Sequence, residues 1–191
     1  MDFLTQLWLP ILVSGVVVWI ASAIFWMAIG HHNKDRDTLP AGADRELMAT
    51  ISRLNIAPGS YSFPDFCTVD KSLPPKERRA AQKALYNTHP QGLLRVWRPI
   101  NMGRNMALTF LFYLVSSTVI AYLAWAALPH GATFAKVFQV VGTAGVLAFT
   151  FASFPGDLWF QEKRRAMVMC LIDGVVLGLI AGAIFAWLWP R

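Results

Sequence analysis

Charge is scarce in this chain. Only 15% of its 191 residues are Asp, Glu, Lys or Arg, whereas 55% are hydrophobic and the mean hydropathy is +0.45. An ordinary soluble domain carries about a quarter charged residues, so the shortage excludes that class. Cysteine is scarcer still, with only Cys67 and Cys170 and no CxxC spacing. Signatures of chemistry are missing as well. There is no GxSxG, HExxH, phosphate-binding loop, dinucleotide fingerprint or CxxCH haem attachment, so no cofactor is implied and an enzyme ranks last. No histidine pair lies at mid-helix depth, where buried haem would need one. No basic stripe with interleaved aromatics is present, which argues against nucleic acid as a partner.

Long apolar runs are abundant. A bilayer core about 30 Å thick needs about 20 apolar residues per helix, and four runs reach that length: Leu7–Ile29, Met106–Leu128, Phe134–Phe154 and Met167–Trp189. The expected fold is an all-α integral membrane protein with four transmembrane helices. "ASA" at Ala21–Ala23 mimics a signal cleavage site. The stretch before it holds Asp2 and no Lys or Arg, and the apolar run continues through "IFWMAI". It reads as a retained helix.

Basic residues set the expected orientation. The 75 residues from His31 to Asn105 hold twelve of the seventeen Lys and Arg, and the "EKRR" turn before the fourth run adds Lys163, Arg164 and Arg165. Both segments fall on one side of a four-span chain, and the other side receives only Lys136 and Arg191. That asymmetry puts the basic segments in the cytoplasm of a bacterial inner membrane and both termini outside. The organisation is then helix 1 in 1–30, a cytoplasmic loop in 31–105, helix 2 in 106–128, helix 3 in 134–154, a turn in 155–166 and helix 4 in 167–191. Trp8, Trp125, Trp187 and Trp189 would form an outer aromatic belt, with Trp26 and Trp159 at the inner interface. On the cytoplasmic side both cysteines are expected as separate, reduced thiols.

Within the loop, "AGADRELMATISRLN" reads as an amphipathic helix with Asp44 as its N-cap and Leu47, Ile51 and Leu54 on one face. "IAPGSYSFPDF" reads as a turn-rich link. "PPKERRAAQKALYNTHP" reads as a second helix with Pro75 in its first turn, and "GLLRVWRP" as a short strand or interfacial anchor. Seven of the eleven prolines fall in this loop, so a large core is not expected there. Its positive excess would lie against anionic lipid headgroups.

Four of these stretches, "HHNKDRDTLP", "YSFPDF", "GLLRVWRPINMG" and "DGVVLGLIAGAIFAWLWP", resemble a family of small bacterial four-helix membrane proteins. The resemblance spans nearly the whole chain and implies the architecture. That family carries no assigned activity, so the likeness implies no residue roles.

Three features invite a site. Gly174, Gly178 and Gly182 stand four apart, as do Ala144, Ala148 and Ala152. Small-residue ridges let helices approach closely in lipid, so the last two spans should pack along them. Asp173 adjoins the glycine ridge inside an apolar run. It is expected as a structural lock bonded to Ser22, Tyr113 or Thr150, or in the first helical turn near the positive dipole end. A proton or cation coupling site is the third reading. In "HHNKDRD", His31, His32 and Asp35 are candidate metal ligands. Adjacent helical residues diverge by about 100°, so a polar helix end is the preferred reading and no metal is expected. Two functions follow. The first is a non-catalytic accessory or assembly subunit of a larger respiratory or photosynthetic membrane complex. The alternative is a small oligomeric transporter or channel coupled through Asp173.

Overall fold

The computed structural model describes residues 2–65 and 69–190. The expectation for Cys67 lies outside them. In chain order the elements are α1 (Asp2–Met27), α2 (Ala43–Arg53), β1 (Gly59–Phe63), α3 (Pro75–Thr88), β2 (Gly92–Val96), α4 (Met102–Ala127), α5 (Phe134–Val146), α6 (Phe154–Trp159) and α7 (Arg164–Trp187). They form two compact units. One combines the two ends of the chain, up to Asp37 and from Asn101, and the other is Thr38–Ile100.

The first unit is a helical bundle. Four of its segments are long and apolar enough to cross a membrane: Phe3–Met27, Met102–Ala127, Phe134–Trp159 and Arg164–Trp187. The third is longer than its apolar run suggests. A π turn at Leu147–Phe151 links α5 towards α6, and with α7 starting at Arg164 helix occupies most of the turn expected at 155–166. The core gathers Leu7, Ile11, Ile120, Val137, Val141 and Phe185, with a second cluster of Val18, Tyr113, Leu177 and Ala181. Trp189 belongs to that core, only 8% exposed, with Nε1 donating to the Pro129 carbonyl at 3.2 Å. It therefore does not share the exposed position of Trp187.

Two seams hold the bundle, and they work differently. Between α5 and α7 the backbones touch. A methyl group at Gly178 would run into the Val146 nitrogen and come within 2.8 Å of the Gly145 carbonyl carbon. One at Gly174 would stand 2.6 Å from the Phe149 oxygen, and one at Gly182 would stand 2.9 Å from the Gly142 Cα. The glycine ridge of α7 thus faces Gly142 and Gly145, and not the alanines expected opposite it. Ala144 is half-buried, and Ala148 and Ala152 are exposed. Backbone contact favours residues without a Cβ: a methyl at Gly145 would stand 2.8 Å from the Gly178 Cα, whereas one at Gly142 would have room. Between α1 and α4 the contact is through side chains. The Tyr113 hydroxyl donates to Ser22 at 2.8 Å, and Ser117 donates to Ser14 at 3.3 Å.

The second unit carries a two-stranded antiparallel ribbon, β1 with β2, in register from Gly59↔Val96 to Phe63↔Gly92. The "IAPGSYSFPDF" stretch therefore contains a strand where a link was expected. The Phe63 ring lies over Gly92, where a Cβ would come 2.7 Å from the ring's far end. α3 starts at Pro75 as expected, whereas α2 is capped by Gly42 in a left-handed conformation (φ 85°) and not by Asp44. None of the described residues of this unit is buried.

Candidate functional site

The site is assembled where α1 ends. The amides of Ala28 and Ile29 both donate to the Ile24 carbonyl, and Gly30 follows at φ 68°. That left-handed residue suits glycine. It turns the chain into a 3₁₀ turn, His31–Lys34, which lies against α7.

Asp173 meets this turn. It is the tenth residue of α7, about 14 Å along the helix from its first residue, and it is only 7% exposed. His31 Nε2 lies 2.9 Å from its Oδ1, and His32 Nε2 lies 2.8 Å from its Oδ2. One carboxylate therefore faces two imidazoles from adjacent residues. Behind His32, Nδ1 meets Asp35 Oδ2 at 2.5 Å. The Trp26 ring stacks on His32 at 3.8 Å, and the His31 and His32 rings are 4.2 Å apart.

Cations close the outer edge. Arg165 Nη2 donates to the His31 carbonyl at 2.7 Å, and its Nε lies 3.6 Å from Asp35 Oδ1. Lys163 donates to the Lys34 carbonyl and to Asp37, at 3.1 and 2.5 Å. The "EKRR" residues thus tie the start of α7 to the same turn.

Proton accounting defines the chemistry. Neutral imidazole has one N–H and one lone pair, yet each His32 nitrogen faces a carboxylate oxygen. Both contacts become attractive once the second one holds a proton, on the ring or on the carboxyl, or a cation. Burial works against the charged form of His32. The hydrogen bonds and charges of Asp35 and Asp173 outweigh it, and the pKa is raised. The His32 side chain is 5% exposed, those of Asp35 and Asp173 are 11%, and that of His31 is 22%. His31 Nδ1 is buried without a hydrogen-bond partner.

This geometry departs from the expectations for Asp173. Its partners are not Ser22, Tyr113 or Thr150. The first two bond each other, and the Thr150 hydroxyl donates to the Val146 carbonyl at 2.5 Å. The first-turn alternative also fails, because the helix starts nine residues earlier at Arg164. His31, His32 and Asp35 are brought together, and Asp173 joins them. Adjacent residues of a 3₁₀ turn diverge by about 120°, yet the two imidazoles still converge, because each meets a different oxygen of the one Asp173 carboxylate. His130 lines a cavity of about 190 Å³ with Trp125 and Trp189, and His89 is exposed beside Thr88.

Trp26 and Arg165 take part without having been singled out. One signal pointed to them: four-span topology places the end of the first span and the start of the fourth on the same side. No protein-family model, curated protein or solved structure matches this chain.

Proposed function

We propose that the protein is a polytopic bacterial inner-membrane protein whose four long helices span the bilayer, with the basic segment 31–105 in the cytoplasm and both termini outside. It acts as a non-catalytic accessory or stabilising subunit of a larger respiratory or photosynthetic complex. The observation that carries this reading is α4. Leu108, Leu111, Phe112, Val115, Val119 and Leu123 are all about half exposed along its length, an apolar face suited to lipid or to the helices of a larger assembly. Inside the bundle the hydroxyls of Ser14, Ser22, Tyr113 and Ser117 bond one another, which suits a structural interior. The lysines and arginines of the basic segment support the orientation.

Gentle detergent extraction followed by identification of stoichiometric partners tests the assignment. Respiratory or photosynthetic subunits should co-purify, and recovery as a homo-oligomer alone contradicts it. Reagents confined to the outer face should leave Lys76 unlabelled in intact cells.

One observation favours the second reading, a small oligomeric transporter or channel coupled through Asp173. The carboxylate stands in a set of ionisable groups with His31, His32 and Asp35, as proton or ion sites in membranes do. Asp173→Asn separates the two. An accessory subunit keeps its complex, whereas a coupled transporter assembles and loses flux.

A further inference from the structure

We infer that His31, His32 and Asp173 form a binding site for one divalent first-row transition-metal ion of the zinc class, with Asp35 as the outer carboxylate that orients His32. The inference is independent of what the bundle docks against.

The donor set fits. One ring nitrogen from each histidine and a carboxylate oxygen of Asp173 all lie within 4.8 Å of one another. An ion held at about 2.0–2.1 Å by nitrogen and oxygen ligands needs its donors about 3.3 Å apart. The imidazole contacts with Asp173, 2.9 Å to Oδ1 and 2.8 Å to Oδ2, lie just inside that spacing. Two imidazoles with one carboxylate suit zinc, iron(II) or cobalt(II). They do not suit magnesium or calcium, which take oxygen ligands.

The surroundings fit independently. A ligating histidine ordinarily donates its second ring N–H to a carboxylate or carbonyl, which sets the tautomer and directs the lone pair at the ion. His32 Nδ1 has this partner in Asp35 at 2.5 Å. With that N–H committed to Asp35, the Nε2 lone pair points at the Asp173 oxygen. A shared cation turns this repulsion between two acceptors into ligation. Arg165 holds the His31 backbone through its carbonyl, and Trp26 fixes the plane of His32 by stacking. A route to the site exists as well. A cavity of about 440 Å³ reaches His32 and Asp35, and Asp157, Glu162 and Cys170 also line it.

The competing account is a proton in place of the ion, with the cluster as a purely structural clasp. Direct titration decides between them. The full chain, purified in mild detergent without a polyhistidine tag and stripped with chelator, is titrated with Zn²⁺ against a chromophoric indicator and with Co²⁺ by visible absorption. The expected result is one ion per chain, with no competition from millimolar Mg²⁺ or Ca²⁺ and imidazole nitrogens in the X-ray absorption spectrum of the loaded protein. His31→Ala with Asp173→Asn should abolish stoichiometric binding. Asp35→Asn should keep the stoichiometry and lower affinity about 10–100-fold. Failure of the wild-type chain to bind Zn²⁺ or Co²⁺ at one equivalent while its helical circular dichroism is intact overturns the proposal. Unchanged binding in the double variant also overturns it. Because the wild-type titration is decisive alone, a variant that does not fold leaves the test standing.

Discussion

The bundle is joined to α7 in two contrasting ways. Along the α5 seam, α7 contributes an absence, since at Gly174, Gly178 and Gly182 no side chain separates the backbones. At the end of α1 it contributes a charge-bearing group, Asp173, gripped by His31 and His32. The first joint rests on packing and has no group to titrate. The second rests on proton or cation accounting and exists only while its ionic state is balanced. Asp173 and Gly174 are neighbours in sequence, so the clasp begins where the glycine seam ends: one residue of α7 recruits partners and the next excludes atoms.

Substitutions separate the two joints. Asp173→Ala should have the largest effect, because it leaves the His31 and His32 imidazoles without their common partner. Losing one member of a buried ionic cluster costs about 3–5 kcal/mol, read as a fall in the apparent melting temperature in detergent. Gly178→Ala comes next, at about 2 kcal/mol. Its new methyl meets the backbone of Val146 and Gly145, so α5 itself must move, and insensitivity to this change would break the seam account. Tyr113→Phe removes the hydroxyl that Ser22 accepts from, and a loss of about 1 kcal/mol should follow in the same assay. Gly142→Ala should be the mildest, within about 0.5 kcal/mol. A Cβ there would stand 3.9 Å from the Gly178 oxygen, an ordinary contact. The gap between Gly142→Ala and Gly178→Ala sharpens the comparison, since both glycines lie on the seam and only one is sterically required.

The two joints also differ in how far they can be read from sequence. The α7 ridge is local: three glycines at a spacing of four sit on one helical face. Its partner stripe was less legible, because α5 carries two stripes of small residues and periodicity alone does not say which one turns inward. The alanines have the spacing of the α7 ridge, but the face that meets it carries Gly142 and Gly145, and only Gly145 lacks room for a Cβ. The four long helices followed from apolar run length, a property of each segment by itself. The clasp did not. His32 and Asp173 lie 141 positions apart, and nothing in either segment specifies the other. The missing step was to combine topology with the lone acid, placing the end of α1 beside the start of α7. The β1–β2 ribbon was half legible. β2 reads as a strand, whereas Pro58, Gly59 and Pro64 around β1 signal a turn more strongly than Tyr61 and Phe63 signal a strand.

The central claim is that the turn after α1 and the interior of α7 are coupled through His32 and Asp173. A double-mutant cycle with His32→Ala and Asp173→Ala, scored by unfolding in one detergent, tests it most directly. The account predicts an interaction energy of about 1–3 kcal/mol between the two positions. Additivity to within about 0.3 kcal/mol would mean that the two side chains do not share a joint.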